Sequence, residues 1–329
     1  MSRRRNRNDN SYWDNFPGLF DLPPGENADS TPIRELDPAA LERPKRLRFI
    51  SFGSGSSGNC AYVGTADCGV LIDAGVDNNK VVAELAANAI DPEGIRGILL
   101  THDHGDHVRY AYALLRRHRD WRLYATPKTL NGILRRHNVS RRISDYHSQI
   151  YKEFPFSVGE LEITAFETSH DGTDNCGFCI KGGGTVFVVA TDTGVITERA
   201  DYYIRRARHL MIEANYDAEM LRTGKYPMLL KARIASATGH MDNVATAAYL
   251  AEVASGAEMA EQGYFRNVFL CHLSLDNNRP EIALGAVGDA LRACGLKVGD
   301  GSGSLADRVC DTHVSVLPRL ESSQLYELK

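Results

Sequence analysis

The chain has 329 residues, which is long enough to bury a full hydrophobic core in one large domain or two modest ones. Its hydrophobic share of 43% and charged share of 24% are ordinary for a soluble globular protein. No apolar run approaches the roughly 20 residues that a membrane-spanning helix needs. The net charge of −4 gives no indication of nucleic-acid binding, although a net charge averages over local patches of either sign.

Residues 1–45 are predicted to form a flexible extension, because they are rich in Arg, Asn, Asp and Pro. Their basic start is not followed by an apolar segment, which argues against a secretory signal, and nearby aspartates argue against a transit peptide. The alternative to a disordered tail is docking on the main domain or on a partner through aromatic side chains, namely Tyr12, Trp13, Phe16 and Phe20.

The cysteine content indicates the compartment. Seven cysteines are an odd number, and they are scattered along the chain. This pattern is typical of free thiols in a reducing environment and not of a disulfide framework. We therefore expect a cytoplasmic protein.

Residues 46–329 are predicted to form one domain in which strands and helices are interleaved. Short apolar stretches predict strands over residues 47–52, 60–63, 69–72, 97–100, 149–154, 161–166, 177–181, 185–190, 209–212 and 268–271. Helical spacing predicts helices over residues 81–90, 108–118, 130–137, 243–252 and 281–293. Two strand-rich stretches, each interleaved with helices, favour an α/β fold of αββα sandwich type, with two mixed sheets packed together and helices outside.

Segment 101–107, Thr-His-Asp-His-Gly-Asp-His, carries the strongest chemical signal of the chain. Side chains alternate along a strand, so His102 and His104 are expected to point to the same side. Asp106 and His107 follow where the chain should turn into a helix. Nitrogen and carboxylate ligands at this density suit zinc, manganese or iron better than calcium or magnesium. The alternative is a charged surface loop.

Three further residues lie just beyond the carboxyl end of a predicted strand. They are His170 after strand 161–166, Asp192 after strand 185–190 and His272 after strand 268–271. Each alone is open to interpretation as a cap or as a half-buried histidine. Together with segment 101–107 they predict a site for two clustered metal ions.

The order His-x-His-x-Asp-His, then His, then Asp-Thr-Gly after a strand, then His resembles the metallo-β-lactamase fold superfamily, over about residues 47–318. The resemblance implies an αββα sandwich with two divalent metal ions (zinc, manganese or iron) at its edge. It assigns three histidines to one metal, three residues to the other and one aspartate as a bridge between them. These are His102, His104 and His170 for the first metal, Asp106, His107 and His272 for the second, and Asp192 as the bridge.

Further motifs resemble the YycJ/WalJ exonuclease subfamily. They are Phe-Gly-Ser-Gly-Ser-Ser-Gly-Asn at 52–59, Leu-Ile-Asp-Ala-Gly at 71–75, Ile-Glu-Ala-Asn-Tyr-Asp at 212–217, Gly-Lys-Tyr-Pro at 224–227, Gly-His-Met at 239–241 and His-Leu-Ser at 272–274. The resemblance implies 5′-to-3′ degradation of DNA. The chain departs from the subfamily in its long N-terminal extension, and in carrying Met241 and Asp242 where Leu and Ser are expected.

A pair of metals can hold a bridging hydroxide as the nucleophile, and it can stabilise both the attacking and the leaving oxygen of an in-line displacement. Asp106 would bind one metal and orient this hydroxide. His240 is the candidate for protonating the leaving 3′ oxygen, because histidine titrates near neutral pH. Glu213 would orient His240, as in the similar transfer-RNA 3′-processing nucleases. The alternative for His240 is a place beside the cap of the helix at Asn243.

Two loops next to these motifs have candidate supporting roles. Asp73 is expected to hold a metal-binding imidazole through a hydrogen bond, with plain turn chemistry as the alternative. Ser56, Ser57 and Asn59 are expected to contact a substrate phosphate together with backbone N–H groups. The alternative for this segment is a simple Gly/Ser turn, and it is not a P-loop because no Gly-Lys-Ser/Thr follows.

Arginines are concentrated after the metal motif. Solvated helix faces are one interpretation, and a basic rim that guides a phosphate backbone toward the metals is the other. The arginines concerned are Arg116, Arg117, Arg119, Arg135, Arg136, Arg141 and Arg142.

The sequence thus favours a dinuclear-metal phosphodiesterase, a DNA exonuclease, whose partner is nucleic acid and not a membrane. A small-molecule hydrolase on the same scaffold, such as a lactonase, thioesterase or cyclic phosphodiesterase, is the first alternative. A non-catalytic nucleic-acid-binding regulatory protein is the second. The complete ligand set argues against the second alternative.

Overall fold

Two β-sheets packed face to face form the centre of the fold. The computed structural model describes residues 45–256, 259, 263–299 and 309–329, which belong to the unit that spans Pro44–Lys329. Apart from Lys45, the extension predicted for residues 1–45 lies outside the described residues. The first sheet contains β1 (Leu47–Gly53), β2 (Cys60–Gly64), β3 (Gly69–Ile72), β4 (Ile95–Leu99), β5 (Arg122–Ala125), β6 (His147–Gln149) and β15 (Tyr326–Leu328), in the order β15-β1-β2-β3-β4-β5-β6.

The second sheet is also mixed. It contains β7 (Phe156–Val158), β8 (Leu161–Glu167), β9 (Cys176–Gly182), β10 (Thr185–Ala190), β11 (His209–Glu213), β12 (Asn267–Cys271), β13 (Val298–Gly299) and β14 (Thr312–Val316), in the order β13-β14-β12-β11-β10-β9-β8-β7. Strands β10, β11 and β12 are parallel, and β9 is antiparallel to both β8 and β10. Strand β8 therefore runs in the same direction as β10.

Helices cover the outer face of each sheet, which confirms the predicted αββα sandwich. An apolar core of its own joins each helical layer to its sheet. No helix in the described ranges combines the length and the apolar character that crossing a bilayer would take. The helices are α1 (Asn78–Ala87), α2 (Gly105–Val108), α3 (Ala111–Arg117), α4 (Pro127–Arg136), α5 (Glu198–Ile204), α6 (Ala218–Thr223), α7 (Met228–Ile234), α8 (Asn243–Ser255) and α9 (Pro280–Ala293), with short 3₁₀ helices at Pro92–Gly94 and Arg141–Tyr146.

A buried aromatic cluster fills the space between the sheets. The ring of Phe49 in β1 lies 4.9 Å from that of Phe187 in β10 and 4.8 Å from that of Phe269 in β12, measured between centroids. All three side chains are fully buried. Burial of one such side chain contributes about 1.5–3 kcal/mol, so this cluster holds the two sheets in a fixed relation.

Two predicted elements differ from the structure. The helix predicted over 108–118 is split into α2 and α3, because the Tyr110 N–H donates to the Ala74 carbonyl at 2.8 Å and leaves the helical ladder. The strand predicted over 149–154 was wrong beyond Gln149. The Glu153 backbone turns to a φ of 67° so that its N–H reaches the Ala165 carbonyl.

The strand directions bring several loop residues to one edge of the sandwich. Strands β3 and β4 are parallel in the first sheet, while β8, β10, β11 and β12 share a direction in the second. Loops after the carboxyl ends of co-directional strands meet at the same edge, which is where α/β folds form their binding sites. The polar cluster described below occupies this edge.

Candidate metal centre

Sharp turns at strand ends aim the polar side chains into the cluster. Asp73 follows β3, Asp192 follows β10 and His272 follows β12. Their φ values are 60°, 51° and 54°, in the left-handed region that side chains other than glycine rarely adopt. Such conformations cost about 1–3 kcal/mol each and concentrate at functional sites. Hydrogen bonds to neighbouring groups offset this cost and hold the three residues in these conformations.

The first group of candidate ligands consists of His102, His104 and His170. One ring nitrogen from each lies within 4.8 Å of the others. The far nitrogens have partners: His102 Nδ1 lies 2.9 Å from the Thr101 hydroxyl, and His170 Nδ1 donates to the Gly239 carbonyl at 3.0 Å. The rings are thereby fixed with their other nitrogens turned toward a common point.

The second group consists of Asp106, His107 and His272. The Nδ1 of His107 donates to Asp73 Oδ2 at 2.7 Å, and the Nδ1 of His272 donates to Glu213 Oε1 at 2.9 Å. The opposite Nε2 atoms face Asp106 Oδ2 at 3.7 Å and 3.6 Å respectively. A carboxylate behind a metal-binding imidazole fixes its ring orientation and increases its basicity.

Asp192 lies between the two groups. Its Oδ2 is 3.5 Å from His107 Nε2, and its Oδ1 is 3.8 Å from His170 Nε2 and 3.4 Å from His272 Nδ1. It also falls within a common 4.8 Å cluster with His102 and His107. One buried carboxylate thus reaches both groups of histidines, as the sequence interpretation expects of a bridging ligand.

The cluster fits divalent metal ions by its own chemistry. The Nε2 atoms of His102 and His272 are buried and have no hydrogen-bond partner among the described residues. An unpaired buried nitrogen is costly, whereas a metal would satisfy both atoms. Imidazole nitrogens with carboxylate oxygens are a donor set suited to zinc, manganese or iron.

The electrostatics of the two groups differ. Burial, aided by neighbouring imidazoles, lowers the pKa of His102 and His104, so these rings are neutral and keep a free lone pair. Burial alone would lower the pKa of His107, but Asp192, Asp73 and Asp106 outweigh it and raise that pKa to about 9. These three carboxylates therefore favour a positive charge at His107, which a bound metal ion would supply in place of the proton.

Glu213, the last residue of β11, organises a further histidine. Its fully buried carboxylate accepts hydrogen bonds from His240 Nδ1 at 2.7 Å, from His272 Nδ1 and from the Thr193 N–H. Burial alone would lower the pKa of His240, but the charge and hydrogen bond of Glu213 raise it above its ordinary value. The structure thus brings together the predicted pair Glu213 and His240 beside the metal cluster.

The helix cap near His240 is supplied by another residue. Asp242 is the N-cap of α8 and accepts from the N–H groups of Val244 and Ala245 at 2.8 Å. Asp and Ser are both favoured N-caps, so the departure from the subfamily pattern at Asp242 conserves this function. Met241 is buried. His240 lies two residues before this cap, as the alternative expected, but its imidazole contacts Glu213 and takes no part in capping.

The three residues predicted to contact phosphate, Ser56, Ser57 and Asn59, differ in their surroundings. Asn59 lies inside the structure: its Oδ1 accepts from the Gly55 N–H at 2.8 Å, and its Nδ2 donates to Asp106 Oδ2 at 3.3 Å. It supports the loop and Asp106. Ser56 and Ser57 are exposed at the tip of this loop. Their contact with phosphate stays a prediction.

Sequence reasoning missed two residues that hold candidate ligands. Asp171 Oδ1 lies 3.3 Å from His104 Nε2, while its Oδ2 accepts from Arg233 Nε at 2.6 Å. Asn215 Nδ2 donates to the backbone carbonyl of His272 at 2.7 Å. Asp171 directly follows the predicted ligand His170, and Asn215 lies in the motif at 212–217, two positions after Glu213; these places in the sequence were the available signal.

Comparison with known proteins reveals relatives of this chain. A family model described as the beta-lactamase superfamily domain matches residues 69–260. Exodeoxyribonuclease YycJ of Bacillus anthracis is 33% identical over 260 residues, covering 77% of this chain and 92% of that protein. Exodeoxyribonuclease WalJ of Streptococcus pneumoniae is 31% identical over 253 residues, covering 77% and 91%. The zinc-bound structure of PqqB from Methylobacterium extorquens is similar in fold, with a TM-score of 0.58, 17% identity and coverage of 84% of this chain and 99% of that one.

Proposed function

Since this chain belongs to the metallo-β-lactamase superfamily and, within it, to the YycJ/WalJ family, we propose that it is a metal-dependent phosphodiesterase that degrades DNA from an end, in the 5′-to-3′ direction. The observation that carries the proposal is the contact of His240 with the buried Glu213 carboxylate beside a complete metal-ligand cluster. A proton donor next to the reacting bond is what a poor leaving group such as a sugar hydroxyl requires.

Two divalent metal ions are proposed to occupy the cluster. When bound, they would supply positive charge that activates water and stabilises the phosphate oxygens during displacement. Asp192 would be shared between them, and Asp106 would orient the attacking water from its partly open position, with 21% of its side chain exposed. The ligands are proposed to be His102, His104 and His170 on one side, Asp106, His107 and His272 on the other, and Asp192 between them.

His240 is proposed to deliver the proton to the leaving 3′ oxygen. Glu213 accepts from its Nδ1, which leaves Nε2 as the atom that faces substrate and carries the transferable proton. The pKa of His240, raised by Glu213, favours the protonated ring that a proton donor needs. Glu213 remains ionised because its imidazole partners, His240 first, oppose the effect of burial and hold its pKa below the ordinary value.

The proposed compartment is the cytoplasm. Six cysteines are free thiols, and five of these are buried, namely Cys60, Cys68, Cys176, Cys179 and Cys271. Burial raises the pKa of Cys176 to about 12 and that of Cys179 to about 11, so these thiols stay protonated and unreactive. Buried free thiols such as these are suited to a reducing environment.

A combined metal and hydrolysis assay tests the proposed function. We expect about two divalent ions per chain by elemental analysis, cleavage of 5′-labelled DNA from its end, and hydrolysis of bis(p-nitrophenyl) phosphate, all lost in strong chelator. Hydrolysis of the small ester without any DNA cleavage would favour a small-molecule hydrolase. DNA binding with no hydrolysis under any metal would favour a non-catalytic protein.

Asp73→Asn should weaken metal binding without unfolding the chain. The Asp73 carboxylate accepts from His107 Nδ1 and from the Thr101 N–H and hydroxyl, so it sets the orientation of the His107 ring. Loss of such a carboxylate costs about 10–100-fold in metal affinity. Titration with a metal chelator of known affinity measures this change, with Asp91→Asn at an exposed helix cap as the control. Equal affinity in both variants would contradict the role assigned to Asp73.

A further inference from the structure

A groove in the outer layer of the first sheet begins at Gly105, one residue before the candidate ligand Asp106. Its inner part is a cavity of about 420 Å³ lined by Gly105, Arg109, Tyr112 and His137 among others, and Gly105 directly precedes Asp106. Its outer part is a cavity of about 650 Å³ between α3 and the 3₁₀ helix Arg141–Tyr146. Tyr112, Arg116 and Ser140 line both cavities, so the two parts are continuous.

The groove carries strong positive charge. Arg116, Arg119 and Arg142 line its outer part against one carboxylate, that of Asp145. All three guanidinium groups are exposed, and within the described ranges none forms an ion pair. Arg109, in the inner part, is exposed as well. Unpaired arginines that converge on one groove are typical of a surface that binds phosphates.

The remaining arginines of this region differ in their surroundings. Arg136 lies 3.5 Å from the buried carboxylate of Asp103, and Arg135 donates to the Asn131 carbonyl on its own helix. Arg117, Arg135 and Arg141 line neither cavity. The structure therefore divides the predicted basic region into a groove set (Arg116, Arg119 and Arg142) and an exposed set outside it (Arg117, Arg135 and Arg141).

Aromatic rings accompany the groove set. Tyr112 and Tyr146 are half-buried and line the outer cavity, and the Arg116 guanidinium lies 5.9 Å from the ring centroid of Tyr112. Cationic grooves with aromatic rings bind single-stranded nucleic acid, because phosphates contact the cations and unpaired bases stack on the rings. Bases inside a duplex are already stacked on one another and cannot use such rings.

We propose that this groove binds the single-stranded part of a DNA substrate next to the bond being cleaved. Arg116, Arg119 and Arg142 contact successive phosphates, and Tyr112 and Tyr146 stack on bases. The inference rests on the proposed function and adds that the strand being cleaved is unpaired where it lies along α3.

Two triple variants with the same loss of charge test the inference. One is R116A/R119A/R142A, in the groove set, and the other is R117A/R135A/R141A, outside it; all six positions are exposed. The affinity for a labelled single-stranded oligonucleotide is measured against salt concentration. Each lost phosphate contact should reduce the slope of log affinity on log salt by about 0.7, so the groove variant should lose about 2 and the control much less.

Hydrolysis of bis(p-nitrophenyl) phosphate separates this inference from the proposed function. The small ester needs the metal centre alone, so both triple variants should hydrolyse it like the natural protein. If the natural protein cleaves DNA and the two triple variants lose affinity equally, the groove inference is overturned while the proposed function stands. If the natural protein cleaves no DNA, the proposed function itself fails.

Tyr112 provides an independent readout of base stacking. Tyr112→Phe retains the ring and should bind single-stranded DNA like the natural protein. Tyr112→Leu retains the apolar packing but not the ring, and should weaken binding about 5-fold or more, since stacking on one base contributes at least about 1 kcal/mol. Equal affinity of the Phe and Leu variants would refute stacking at this position.

Discussion

Replacing Asp192 with alanine should remove both metal binding and catalysis. This buried carboxylate lies within reach of both groups of histidines, and alanine has no ligand atom to offer in its place. Metal ions contribute several kcal/mol to stabilising a phosphoryl transition state, and each 1.36 kcal/mol is tenfold in rate. We expect the rate on both DNA and bis(p-nitrophenyl) phosphate to fall by about 10³-fold or more.

Metal content and thermal stability provide readouts that do not depend on activity. Ions that bind only the folded state stabilise it, so the natural protein should melt at a higher temperature with added metal. The Asp192→Ala variant should lose this increase. The control is Asp201→Ala, which removes an equal charge from α5 on the outer layer and should retain both metal and activity. A variant without Asp192 that binds two ions and turns over normally would eliminate the bridging role.

The architecture and the position of the cluster were predictable because they depend on local patterns. Strands such as β10 are apolar in all but their first residue, which marks them as buried, and an Asp just beyond such a strand stands at a sheet edge. The direction of neighbouring strands then brings Asp192 close to residues 80 or more positions away, such as His272. The periodicity of each strand and the order of its flanking residues contain this information.

The outcome for segment 149–154 shows where local patterns do not suffice. Its apolar side chains predict a strand, but Phe154 is 69% exposed and the chain turns at Glu153. A hydrogen bond from Glu153 to Ala165, in another strand, decides this conformation. Such a long-range contact leaves no periodic signal in the sequence.

The arginines of the groove also show what local sequence patterns do not predict. Arg116 and Arg117 are adjacent in α3 and indistinguishable by composition, yet one lines the groove and the other does not. The difference follows from the position of the 3₁₀ helix that supplies Arg142, more than twenty residues along the chain. Sequence alone predicts a basic region, whereas packing selects which side chains share a cavity.

His240→Ala should slow DNA cleavage by about 10²–10⁴-fold, the usual contribution of a general acid or base. The variant should keep its metal, because His240 lies outside the two groups of candidate ligands and its Nδ1 is engaged by Glu213. His118→Ala is the control, since His118 stacks on Trp121 in the outer layer, 4.2 Å between ring centroids, and should affect neither substrate.

Comparison of two leaving groups identifies what His240 does. A sugar hydroxyl leaves poorly without a proton, whereas p-nitrophenolate leaves readily without one. The His240→Ala variant should therefore hydrolyse bis(p-nitrophenyl) phosphate at nearly the natural rate while it fails on DNA. Equal losses on both substrates, together with reduced metal content, would make His240 a metal ligand, for which its place in a common 4.8 Å cluster with Asp192, Glu213 and His272 gives the geometric basis. Unchanged rates on both substrates would leave Glu213 with one role, that of orienting His272.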